Sequence, residues 1–212
     1  MKPRILLADD HEIVARGLAR LLETEYELAG IVGDGRQLLE AAEDLEPDVV
    51  VADISMPQLN GIEAARRLKK TRPKLKVVFL TQHSDVAYAA RALDAGASGY
   101  VLKSAAPSEL LTAVRKALLG RTYVTPLIDE EALRTHREHA RHREEAEARL
   151  TPRQREVLQL IAEGRSAKEV AAVLDISPRT VEFHKYRLMD ELGLRTTAEL
   201  TQFAVRHGIV SD

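Results

Sequence analysis

Residues 49–61 read VVVADISMPQLNG, and the order of residue types in them decides the fold. Four apolar residues, Val49 to Ala52, run unbroken into one carboxylate, Asp53. Met56, Pro57 and the pair Asn60-Gly61 then make a turn-rich exit. An apolar run bounded by turn residues suits a strand buried on both faces. In open parallel sheets, ligands bind beyond the carboxyl ends of the strands. Asp53 therefore stands where a reacting group belongs, and its role depends on what else reaches the same place.

Working outward, residues 4–9 (RILLAD), 26–32 (YELAGIV), 48–53 (DVVVAD), 76–81 (KVVFLT) and 99–103 (GYVLK) read as strands. Helical patterns alternate with them. The first, HEIVARGLARLLE, sets Ile13, Val14, Leu18, Leu21 and Leu22 on one side; RQLLEAAEDL, GIEAARRLKK, DVAYAARALDAG and PSELLTAVRKALLG follow. Such alternation predicts parallel strands joined by right-handed crossover helices. Residues 1–120 are thus expected to form an α/β domain, a doubly wound, five-stranded parallel, flavodoxin-like sheet. Within residues 121–148 the stretch that begins DEEALRTHREHARHREEAEA at Asp129 is almost all charged or Ala, with Leu133 nearly alone as an apolar anchor, and the segment predicts an exposed linker helix.

Residues 149–212 predict a second, smaller all-α domain. Thr151-Pro152-Arg153-Gln154 reads as a capping box with Pro at the first helical position, and Ser166…Glu169 and Thr196…Glu199 repeat the box. Ser177-Pro178 starts another helix. The expected helices are 152–163, 167–174, 178–192 and 197–207. Three residues separate the second from the longer third, which is the helix-turn-helix pattern.

The chain has 212 residues, 45% hydrophobic and 30% charged, a formal net charge of -2 and no cysteine. That excludes disulfides and thiolate metal sites and fits a reducing cytoplasm. The N-terminal apolar run is too short and too acidic for a signal peptide, and nowhere do eighteen apolar residues follow one another, so no membrane partner is expected.

Asp9 and Asp10 follow the first strand and Asp53 the third. Three gathered carboxylates repel one another unless a cation neutralises them. Oxygen-only ligands suit Mg²⁺ or Mn²⁺. Thr81 ends the fourth strand and Lys103 the fifth, a hydroxyl donor and an ammonium suited to phosphate. Together these groups suit phosphoryl transfer to Asp53. The competing structural reading is helix capping, by Asp10 on the first helix and Thr81 on the fourth.

The segments LLADDH, ADISMPQLNG, LTQHSD and GYVLKS resemble the receiver domain of two-component response regulators, across residues 3–120. The resemblance implies that Asp53 accepts phosphate from a sensor histidine kinase. It implies that Asp9, Asp10, Asp53 and the backbone carbonyl of Ser55 hold Mg²⁺ (or Mn²⁺). It makes Thr81 and Lys103 the phosphoryl-binding groups and Tyr100 the aromatic switch. Asn60 is expected to cap the next helix, with Glu63 at its third position. Gln82, after Thr81, replaces the small residue usual in receivers and bears on phosphoryl lifetime.

Residues 149–210 resemble the LuxR-type helix-turn-helix of NarL/FixJ regulators. The third helix is the recognition candidate, with Val181, Leu188, Met189 and Leu192 facing the core. The resemblance puts base-reading side chains at Glu182, Phe183 and Tyr186, with Lys185 near them, and phosphate contacts at Arg179, Thr180, Arg187 and Arg195. Residues 150–212 hold nine Lys plus Arg and nine Asp plus Glu, so tight binding to promoter DNA is expected to need a homodimer on two half-sites. His136, His139 and His142 recur at three-residue spacing but lack a completing ligand, and His184 reads as structural.

The expected function is a response regulator whose phosphorylation at Asp53 controls dimerisation and promoter binding. It is not an enzyme: an aspartyl-phosphate phosphatase usually carries a general acid two residues past the nucleophile, where this chain has Ser55. The rival reading is a phosphorylation-independent transcription factor that uses the receiver only to dimerise.

Overall fold

A computed structural model of the chain describes residues 2–105, 107–135, 150–207, 209 and 210. The chain divides into two compact units, Met1–Arg137 and Glu138–Asp212.

The first unit is built on strands β1 (Arg4–Ala8), β2 (Glu27–Val32), β3 (Val49–Ala52), β4 (Lys76–Thr81) and β5 (Gly99–Leu102). Helices α1 (Glu12–Glu23), α2 (Gly35–Leu45), α3 (Gly61–Thr71), α4 (Val86–Asp94) and α5 (Pro107–Leu118) alternate with them. These strands pair in parallel, in the order β2-β1-β3-β4-β5. The period of two along each strand divides the core between the faces of the sheet. Leu6, Ala8, Val50, Ala52, Phe79 and Tyr100 join the core beneath α2, α3 and α4. Ile5, Leu7, Val49, Val51, Leu80 and Val101 join the one beneath α1 and α5. At about 1.5–3 kcal/mol per buried aliphatic side chain, these two layers dominate the fold's stability.

Two features differ from expectation. The sheet has a sixth strand, β6 (Tyr123–Val124), paired with β5 where the linker was expected to begin. Helix starts only at residue 130, where Asp129 accepts from the amides of Glu131 and Ala132. Tyr123, Val124 and Thr125 favour extended backbone, and Pro126 disfavours helix in the residues just before it. Ile128 and Leu133 are buried in the core of the first unit, so this stretch is not a wholly exposed linker. The rest of the expected linker, with His136, His139 and His142, lies outside the described residues. In α1 the core is reached by Ala15, Ala19 and Leu22, whereas Ile13 is 90% exposed and Val14 is also exposed.

The second unit holds α6 (Pro152–Ala162), α7 (Ala167–Leu174), α8 (Pro178–Leu192) and α9 (Thr197–Arg206) around one apolar core. Thr151, Ser166 and Thr196 form full capping boxes, and Ser177 caps α8. Asp175 closes α7 in a left-handed conformation, φ 51°, which lets the chain turn sharply into α8. Among the described residues, no helix is long and apolar enough to cross a membrane.

Candidate functional site

Strands β1 and β3 are neighbours in register, Ala8 opposite Ala52, so Asp9 and Asp53 leave the sheet side by side. Both are only 4% exposed. Lys103, just past the end of β5, reaches between them. Its Nζ lies 2.7 Å from Asp9 Oδ2 and 2.7 Å from Asp53 Oδ2. Burial pushes the Lys103 ammonium towards deprotonation, but its bonds to the two carboxylates outweigh this and hold its pKa above the usual lysine value. The other oxygen of Asp53 accepts from the amides of Ile54 (2.6 Å) and Ser55 (3.3 Å).

Asp10 lies at the rim, with His11 Nδ1 2.9 Å from its Oδ1. One ligand atom from each of Asp9, Asp10, His11 and Asp53 lies within 4.8 Å of the others. Three carboxylates around one ammonium leave negative charge uncompensated, and hard oxygen donors suit a hard divalent cation. The residues therefore fit such an ion. The capping alternative fails for both residues it invoked. His11, with no capping side-chain bond, occupies the N-cap of α1, and Asp85 caps α4.

Thr81 is fully buried at the end of β4, where its Oγ1 accepts from the His83 amide at 3.3 Å. Tyr100 is also fully buried, and its hydroxyl donates to the His83 carbonyl at 2.7 Å. Burial raises the Tyr100 pKa, which keeps the hydroxyl a donor. The His83 ring shares a 2.7 Å hydrogen bond with Ser55 Oγ and stacks on Tyr88 at 3.8 Å between centroids. His83 thus joins the loop after Asp53 to α4, whereas Gln82 is solvent-exposed. Sequence reasoning singled out Gln82 and missed both His83 and His11. The signal for His83 was its position, two residues past a strand-end hydroxyl.

The exit loop from Asp53 is shaped by close approach. Asn60 caps α3 by accepting from the Glu63 amide at 2.9 Å. A Cβ on Gly61 would lie 2.1 Å from the Asp53 carbonyl oxygen, so only glycine lets α3 begin there. Gln58 is left-handed, φ 67°, and its Nε2 donates to Asp34 Oδ2 at 2.9 Å. On the Lys103 side of the site, Ile13, Val14, Leu18, Leu102, Lys103 and Leu110 are among the residues lining a cavity of about 350 Å³.

In the second unit, Val181 and Leu188 bury one side of α8, with Met189 and Leu192 packed partly against the same core. The outer side carries Phe183 and Tyr186, 59% and 64% exposed. Glu182 and Lys185 form an ion pair at 3.2 Å, and the Lys185 ammonium lies 5.6 Å from the Tyr186 ring centre. Arg187 pairs with Glu191 at 2.7 Å, and Glu191 also accepts from Gln154. Thr180 Oγ1 lies 2.8 Å from Ser177 Oγ at the start of the helix. Arg179 and Arg195 are exposed. His184 is part-buried against the edge of Phe183, and burial, then Arg153 and Arg187, lower its pKa.

Residues 5–115 match the family described as response regulator receiver domain, and residues 148–204 match the bacterial regulatory proteins, luxR family. The transcriptional regulatory protein MctR of Rhizobium johnstonii is 39% identical over 212 residues, covering 99% of this chain and 96% of that protein. The response regulator GacA of Pseudomonas aeruginosa is 32% identical over 210 residues, 98% of this chain and 97% of that one. Among solved structures, RcsB of Salmonella enterica serovar Typhimurium bound to promoter P1flhDC in the presence of the phosphomimetic BeF3- is 28% identical. It superposes with a TM-score of 0.61 over 96% of this chain and 98% of RcsB. A structure of two RcsB dimers bound to two parallel DNAs is 29% identical, with a TM-score of 0.57 over 96% of this chain and 98% of that one.

Proposed function

The chain belongs to the two-component response regulators that join a receiver domain to a LuxR-type DNA-binding domain and regulate transcription, and we propose that phosphorylation of Asp53 is what controls it. The observation that carries this reading is Lys103, set 2.7 Å from both Asp9 and Asp53 in a cluster of three acids.

In the proposed reaction an Asp53 carboxylate oxygen attacks the phosphorus of a phosphohistidine on a sensor kinase. A P–O bond forms, the P–N bond breaks, and the imidazole leaves with the electron pair. Lys103 shifts its ammonium towards an oxygen of the incoming group, and the Thr81 hydroxyl donates to another. Asp9, Asp10, Asp53 and the backbone carbonyl of Ser55 would hold Mg²⁺ or Mn²⁺, which supplies charge neutralisation for the phosphoryl oxygens. Tyr100, tied to the His83 carbonyl, is the group whose packing responds. The chain turns over no external substrate beyond its own phosphoryl group. The exposed Ile13 beside the acceptor offers the kinase an apolar foothold.

The phosphorylated protein acts as a homodimer on promoter double-stranded DNA in the cytoplasm. Glu182, Phe183, Lys185 and Tyr186 read bases, and Arg179, Thr180, Arg187 and Arg195 take phosphates. The RcsB dimers bound to DNA support the dimeric reading. The test is intact mass after incubation with acetyl phosphate. One phosphoryl adduct is expected in Mg²⁺, none with chelator, and none in Asp53→Ala. Undiminished labelling of Asp53→Ala would overturn the assignment.

A further inference from the structure

The segment that leaves the receiver is fastened to the strand carrying Tyr100. Strand β6 pairs with β5 in the register Gly99 to Tyr123 and Tyr100 to Val124, and the Thr125 amide donates to the Tyr100 carbonyl at 2.9 Å. Backbone pairing alone, over two residues, is a weak hold. Side chains add to it. Glu109, in the first turn of α5, accepts at one carboxylate oxygen from the Tyr123 hydroxyl (2.9 Å) and from the Thr125 hydroxyl (2.8 Å). Thr125 is 1% exposed, so its hydroxyl has little access to water in place of Glu109. The Lys116 ammonium lies over the Tyr123 ring, 4.8 Å from its centre. Burial first, then the hydrogen bond to Glu109 and its charge, push the Tyr123 phenol up to about 12, so it stays a donor at neutral pH.

Beyond the clasp, Ile128 and Leu133 sit in the same buried cluster as Tyr100 and Phe79. The helix capped by Asp129 therefore starts from an anchored root. We propose that Glu109, with the hydroxyls of Tyr123 and Thr125, is a coupling clasp that transmits the phosphorylation state of the receiver to the root of the linker. This rests on Asp53 being the acceptor. Two routes from the acceptor converge on the clasp. Tyr100, whose hydroxyl is held at the His83 carbonyl, carries β6 on its backbone. Lys103 precedes α5, the helix that presents Glu109. A shift of either β5 or the first turn of α5 changes the geometry at one shared carboxylate oxygen. Glu109 is a positioning residue here and touches no reacting atom.

The test is amide hydrogen exchange over residues 121–135 of the full chain, before and after labelling with acetyl phosphate and Mg²⁺, with the extent of labelling read by intact mass. In the parent, labelling is expected to change exchange in this segment several-fold. In Tyr123→Phe/Thr125→Val, which keeps shape and removes both donors, Asp53 labels to the same extent but the ratio of labelled to unlabelled exchange falls to about one. A merely structural clasp raises exchange in both states and leaves that ratio unchanged. Glu109→Ala removes the acceptor from the other side and gives the same loss, which covers the case of a double variant that does not fold. A parent segment indifferent to labelling, or variants that keep the parent's ratio, overturn the proposal. Variants that no longer label while the parent does also overturn it. Failure of the parent itself to label would instead fault Asp53 as the acceptor.

Discussion

At the scale of single residues, the proposed acceptor site is a balance of charge. Asp9 and Asp53 are nearly buried, and one ammonium serves both. Removing one partner of a buried ion pair costs about 3–5 kcal/mol, because the other charge stays buried. Lys103→Met is therefore expected to unfold at distinctly lower urea than the parent. Mg²⁺ should restore more stability to the variant than it adds to the parent, since a divalent cation replaces the missing charge. Equal Mg²⁺ effects on the two midpoints would mean that the ion does not sit among these acids. A second residue-scale prediction separates neighbours. His83 contacts Ser55 Oγ and Tyr88, whereas Gln82 faces solvent. His83→Ala should change the decay rate of phosphorylated Asp53 at least several-fold, and Gln82→Ala should change it less. Decay followed by mass decides between them, and the reverse order would contradict the contacts described.

At the scale of elements, the start of α3 and the face of α8 carry the sharpest expectations. Gly61→Ala places a methyl group 2.1 Å from the Asp53 carbonyl oxygen. Overpacking of that kind costs about 1–3 kcal/mol, and here it should also slow labelling by acetyl phosphate. Urea unfolding and mass spectrometry read the two effects separately. On α8, Glu182 holds Lys185 at 3.2 Å. Glu182→Ala frees that ammonium and removes an acid from the phosphate field, so non-specific DNA affinity should rise while preference at one base position per half-site relaxes by about 1–3 kcal/mol. Arg187→Ala should weaken all sequences alike and reduce the salt slope by about one. Selection on randomised half-sites over a salt series measures both. An unchanged selected sequence for Glu182→Ala, with an altered one for Arg187→Ala, would reverse the assignment of that face.

These elements also show what a sequence reveals. Strands β1, β3, β4 and β5 were legible because their apolar runs end in polar or turn residues, and β2 because it alternates with the helices around it. The helices of the second unit were legible because Thr151, Ser166, Ser177 and Thr196 announce their starts. Asp9, Asp53 and Lys103 could be brought together from sequence because all strands of a parallel sheet deliver their carboxyl ends to one edge. Strand β6 was not legible. Two residues of β propensity have no signal of their own and become a strand only because the β5 edge and Glu109 receive them. The exposure of Ile13 and the contact between His83 and Ser55 were equally hidden. Apolar spacing does not say which positions of α1 clear the sheet, and a loop histidine gives no sign of the ring it will stack on.

At the scale of the whole molecule, two units with separate cores must communicate for phosphorylation to regulate transcription. A coupling of about 1–3 kcal/mol is enough for a roughly tenfold change in DNA occupancy. Sedimentation of the full chain should show self-association that strengthens on labelling with acetyl phosphate and Mg²⁺, and an unchanged distribution would remove dimerisation from the mechanism. The central claim is that the phosphoryl group on Asp53 controls DNA binding. The most direct measurement is a DNA-binding titration of the purified full chain on duplexes selected by the parent protein, with and without acetyl phosphate and Mg²⁺, beside Asp53→Ala. A gain of about tenfold in the parent and none in Asp53→Ala is predicted; equal affinity in the two states of a parent shown by mass to be labelled would contradict it.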